Sequence, residues 1–141
     1  MRIYITHCTR GKNKSLENTD IKVPPDRLYT PRWIQRFMNK CKEMGVNWAI
    51  LSDEYGIWFP HIKNKYYEKD PDTIVKRGKI VDAHKFWELV SDFDRKLRDY
   101  DEIQFYRQPG GRPLHPTYQK LLQATSLKNK VKLFCHISEI T

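Results

Sequence analysis

The chain has 141 residues, 39% of them hydrophobic and 13% aromatic, with 26 Lys and Arg against 17 Asp and Glu for a formal charge of +9. Its 4 Trp, 8 Tyr and 6 Phe exclude a disordered chain, which lacks such residues. No uncharged apolar run approaches the ~20 residues of a membrane span. One domain over residues 1–141 is expected from the length, and the segment Met1–Thr6 is too short and polar for a secretory signal. The expectation is a cytoplasmic protein without a membrane partner.

In chain order, the first strand is Arg2–Thr6. A helix follows, with Thr30 as N-cap, Pro31 at its first position and Gly45 after its last turn. Its stripe is Trp33, Ile34, Phe37, Met38, Cys41 and Met44. Asn47–Ser52 reads as the second strand. Residues 56–79 hold two prolines and a basic-aromatic mixture without sustained period; a partly helical excursion is expected there. A second helix spans Ala83 to Tyr100, with Phe86, Val90, Phe93 and Leu97 on one face. Strand Glu102–Tyr106, a helix from Pro116 and strand Val131–His136 complete the chain. Strands alternating with helices predict a three-layer α/β sandwich, with a four-stranded, mainly parallel sheet and helices on both faces.

The cysteines Cys8, Cys41 and Cys135 form no C-x-x-C pair, so neither a disulfide framework nor a zinc ribbon is expected. Neighbouring residues on a strand point to opposite faces, so His7-Cys8 and Cys135-His136 are poor convergent metal ligands. No metal and no cofactor is expected.

Ligands of open parallel sheets bind outside the carboxyl ends of the strands. Three polar, glycine-bearing segments leave those ends, beginning at His7, Ser52 and Arg107. In the first, Arg10 and Lys12 either counter a phosphate cradled by the backbone or belong to an ordinary basic turn. In the second, Asp53 and Glu54 are either a general base with a ribose ligand or a solvated pair. In the third, Gly110 and Gly111 permit close approach of a ligand or simply a turn. His115, before Pro116, serves an anion or packs. Tyr66 and Tyr67, interleaved with Lys63 and Lys65, suit base stacking beside phosphate contacts. Trp58 and Phe59 are better read as cover for the sheet edge.

A family pattern joins these residues. Cys8 with Lys12, then Leu28-Tyr29-Thr30-Pro31, then Ile50-Leu51-Ser52-Asp53-Glu54-Tyr55-Gly56-Ile57, Pro60 and a Tyr-Tyr pair resemble a group of small α/β domains marked by a strand leading into "LSAKYGL". That group is similar to the peroxide-stress DNA-binding proteins and, more distantly, to a domain of archaeosine synthase related to the uracil-DNA glycosylase fold. The resemblance covers about residues 1–75. It implies a role around nucleic acid or modified nucleobases, with Tyr29, Ser52, Tyr55 and Gly56 at the ligand. Asp53-Glu54 stand where the group carries Ala-Lys, and no GQDPY-like water-activating motif is present.

The expected function is a nucleic-acid- or nucleotide-binding domain acting on a nucleobase or N-glycosidic bond. In that version Asp53 or Glu54 orients water or stabilises an oxocarbenium-like centre, with Cys8 or His115 near the base. The alternatives are a non-catalytic DNA-binding stress protein and a basic adaptor docking an acidic protein. Either ligand-binding version expects Cys8, Ser52, Asp53, Glu54, Tyr55, Gly110, Gly111 and His115 around one cleft.

Overall fold

A computed structural model describes residues 1–110 and 112–141; the expectation for Gly111 lies outside the described residues. The strands are β1 (Arg2–His7), β2 (Asn47–Ser52), β3 (Gly56–Trp58), β4 (Val75–Lys76), β5 (Lys79–Ile80), β6 (Glu102–Tyr106) and β7 (Val131–Phe134). The helices are α1 (Pro25–Leu28), α2 (Arg32–Met44), α3 (Ala83–Leu97) and α4 (Pro116–Ala124).

One sheet has the order β3-β2-β1-β6-β7. β2, β1, β6 and β7 run parallel, while β3 folds back antiparallel onto β2. The sheet therefore has five strands, not the expected four. The added strand is three residues long, too short for an alternation pattern to register.

Segment 56–79 is corrected as well. It holds β3, a 3-10 turn at Pro71–Thr73 and the β4–β5 hairpin, and no α-helix. Two of its aromatics, Trp58 and Tyr67, are buried.

α2 begins one residue later than expected, because Pro31 rather than Thr30 occupies the N-cap. It stops where Gly45, at φ 64°, donates its N–H to the carbonyls of Cys41 and Lys42, a left-handed cap that glycine adopts without penalty. Ile34, Phe37, Met38 and Cys41 are buried along its inner stripe. The right-handed crossover rule for parallel β-α-β units, applied to this strand order, assigns α2 to one face and α3 and α4 to the other. In keeping with this, α3 touches α4, and successive residues Ile3 to Thr6 are buried on both faces of β1.

The chain leaves β1 towards β2 on one side and returns past it to β6 on the other. The order thus reverses between β1 and β6, and the crevice outside their carboxyl ends is where such sheets bind ligands. No described helix is long and apolar enough to cross a membrane.

Candidate functional site at the carboxyl ends of the sheet

The turn after β2 separates two adjacent carboxylates. The Ser52 hydroxyl accepts the N–H groups of Glu54 (3.1 Å) and Tyr55 (2.9 Å), a local side-chain turn that serine favours. The turn buries Asp53, only 2% exposed. Glu54 goes the other way, its Oε1 lying 3.6 Å from Lys85 Nζ on α3. Gly56 follows at φ 73° with its backbone against Asp92 of α3, whose Oδ2 accepts the Ile57 N–H at 2.7 Å.

Asp53 meets the end of β1. The Cys8 thiol donates to Asp53 Oδ1 at 3.4 Å and accepts the Asp53 N–H at 3.4 Å. Tyr118 of α4 completes the group, its hydroxyl 3.2 Å from the same sulfur. Burial, seconded by the Asp53 charge, pushes the Cys8 thiol up to about 12, so the nucleophilic thiolate is disfavoured. Burial also raises Asp53, against the pull of the Cys8 hydrogen bond and the Lys12 charge.

Beneath them runs a string of buried hydroxyls. Ser52 Oγ donates to the Tyr67 hydroxyl at 3.1 Å, and the Tyr67 and Tyr29 hydroxyls share a bond of 2.7 Å. Desolvation holds Tyr29, Tyr67 and Tyr118 well above the ordinary phenol range. Lys12 is only 7% exposed. Its Nζ lies 4.5 Å from the Tyr67 ring centroid, a cation–π contact, and 3.4 Å from the Arg10 carbonyl oxygen.

Other expected site residues stand apart. Tyr55 donates to the Lys65 carbonyl at 3.0 Å and packs edge-on against Trp58. Tyr66 is tied to Lys14 and Glu68 at the surface. Lys65 pairs with Asp20 at 3.3 Å, and Lys63 is exposed. Gly110 is exposed at φ 96°. His115 has both ring nitrogens engaged: Nδ1 accepts the Thr117 N–H at 3.0 Å as cap of α4, and Nε2 donates to Asp72 at 2.7 Å.

The crevice beside β1 is a cleft of about 410 Å³ whose walls include His7, Cys8, Arg10, Trp33, Arg112 and Tyr118. A second lobe of about 280 Å³, reaching to Arg107, shares His7, Gln108, Arg112 and His115 with it. Of the expected residues, Cys8, Arg10 and His115 thus reach the cleft, while Asp53 lies behind Cys8.

The sequence reading missed His7 as a site residue. Its ring stacks on Tyr118 (5.1 Å, 16°) and leans on Trp33 (5.2 Å). Nδ1 lies 2.8 Å from the Cys8 carbonyl oxygen and can only donate to it, which leaves the lone pair on Nε2. Burial lowers the pKa of His7, and the Cys8 carbonyl opposes the effect. His7 therefore presents a neutral imidazole to the cleft. Its place at the last position of β1 was the available signal.

Comparison with protein-family models, with curated proteins and with solved structures finds no match to this chain. No group of three or more His, Cys, Asp or Glu among the described residues could hold a metal ion.

Proposed function

We infer that the protein is a nucleotide- or nucleic-acid-binding α/β domain that takes its ligand at the crevice between β1 and β6. The observation that carries this reading is the charge of the lining. Neither lobe has an Asp or Glu among its described walls, while Arg10, Arg107 and Arg112 contribute to them. Trp33, only partly buried, adds flat apolar surface for a base. A depression at the opposite edge of the sheet instead sets Asp101 and Glu102 beside Arg2. The two acid-free lobes thus lie at the edge where parallel sheets bind ligands. The resemblance carried by residues 50–57 points the same way.

The side chains favour binding over hydrolysis. Asp53 is buried behind Cys8, Glu54 is turned to Lys85, and His115 is engaged at both nitrogens. A raised thiol pKa keeps Cys8 protonated. His7 Nε2 has no partner among the described residues and is an acceptor suited to an N–H or O–H of the ligand.

The test is calorimetric titration with thymidine 5′-monophosphate and the other nucleoside monophosphates at low salt. Binding is expected for the wild type, with a loss of tenfold or more when Arg10 and Arg112 are both changed to Ala. Absence of binding to any nucleotide or nucleic acid overturns the reading.

A further inference from the structure

Trp33 links the nucleotide crevice to a third hollow. It lines the main cleft on one side and, on the other, a lobe of about 300 Å³ with Arg36, Tyr106 and His136. This lobe also has no Asp or Glu among its described walls. The three lobes together run across the carboxyl ends of β6 and β1 to the first turn of α2. Four arginines, at 10, 36, 107 and 112, are spaced along them. In a chain with 17 acidic residues, a track of this length without a carboxylate in its lining is unusual. Arg10 pairs with Asp70 at 3.4 Å, and beyond it the surface changes character, with Glu68 and Asp82 mixed among Lys12 and Lys69. The track therefore ends there.

We propose that single-stranded nucleic acid lies along this groove, with Trp33 as a base-stacking platform between a phosphate contact at Arg36 and another at Arg10 and Arg112. The proposal rests on the nucleotide-binding reading and extends it from one unit to a strand. Single-strand grooves combine cations that follow the backbone with aromatic faces on which bases stack. Duplex bases are already stacked on one another and cannot use a platform set between hollows. Trp33 is only partly buried, although it packs on the core; its ring leans on His7 at 5.2 Å and on Tyr106 at 6.2 Å. Those contacts fix the indole in place, so stacking on it costs little side-chain entropy. Arg36 is exposed on α2 and lies outside the crevice that a single nucleotide fills.

The experiment titrates the full chain with thymidine 5′-monophosphate, with octathymidylate and with a 16-base-pair DNA duplex at the same salt, following tryptophan fluorescence. Octathymidylate is expected to bind at least tenfold tighter than the mononucleotide or the duplex and to quench the signal of Trp33. Trp33→Leu should remove that quenching and weaken octathymidylate about 5- to 150-fold, the range of one lost stack. Arg36→Ala, at an exposed position that should not disturb folding, leaves the mononucleotide unaffected and reduces the log–log salt slope for octathymidylate by about 0.7. If octathymidylate binds no tighter than the mononucleotide, or the duplex binds tighter, the strand proposal falls and the nucleotide reading stands. An unchanged salt slope in Arg36→Ala also overturns it. If none of the three probes binds, both readings fail.

Discussion

The thiol of Cys8 and the carboxylate of Asp53 meet at 3.4 Å where β1 and β2 end side by side. Each supplies a donor to the other, since the Asp53 backbone N–H points at the sulfur. The pair closes the floor of the crevice and anchors Tyr118 of α4 above it. It also places a carboxylate where ionisation is costly.

That cost gives Asp53→Asn a defined pH dependence. Burial raises the folded pKa of Asp53 above its unfolded value of about 3.9. Stability from this group is therefore full below the unfolded pKa and is lost as pH rises through the folded one. Asn keeps the Oδ1 acceptor for Cys8 and carries no charge. The variant should melt above the wild type at pH 7, with the gap closing below about pH 4. Thermal unfolding across that range checks it; a variant less stable at pH 7 contradicts it.

His7 has the opposite sign. Its folded pKa is lowered, so the stability it supports is present above its unfolded pKa of about 6.5 and declines as pH falls through that value. The imidazole resonances of His7 should titrate below the ordinary histidine range in NMR spectra. His7→Asn, which can still donate to the Cys8 carbonyl, should flatten the decline in urea midpoint between about pH 7.5 and 5.

Tyr67→Phe removes the middle hydroxyl of a buried string and leaves Ser52 and Tyr29 each short of a partner. An unsatisfied buried polar group costs about 1–3 kcal/mol. Urea denaturation should show a loss in that range with little change in m-value. A change below about 0.5 kcal/mol would mean that the string is not closed as described.

Gly56→Ala should be among the most damaging single changes. A Cβ there would collide with Asp92 Oδ2 and lie 2.6 Å from its Cγ. Asp92 cannot retreat freely, because it accepts from Ile57 and pairs with Lys96 at 2.8 Å. The loss should exceed the roughly 1–2 kcal/mol of the left-handed conformation alone, read by equilibrium unfolding.

Lys63 and Lys65 lie outside all three lobes, and Lys65 is paired with Asp20. Replacing both by Ala should leave nucleotide affinity within about twofold, whereas Arg10→Ala with Arg112→Ala lowers it; a surface pair contributes little to a site it does not line. Side-by-side calorimetry of the two double variants decides between the positions.

The sequence determined the parts of this molecule that depend on local periodicity and capping. The apolar runs at 47–52 and 102–106 mark β2 and β6 at their observed ends, and Gly45 marks the end of α2, because side-chain period and a left-handed cap are written within a few residues. Parallel pairing follows from the alternation of strands with helices. The tertiary structure alone decided the short strand β3, the opposite fates of Asp53 and Glu54, and the burial of Lys12. The direction of a side chain in a turn is set by what packs against it. Here those partners are remote: Cys8 lies 45 residues from Asp53 and 110 from Tyr118. The acid-free groove is of the same kind, since its arginines come from three separate segments that meet only when β1 and β6 pair and α2 packs across them.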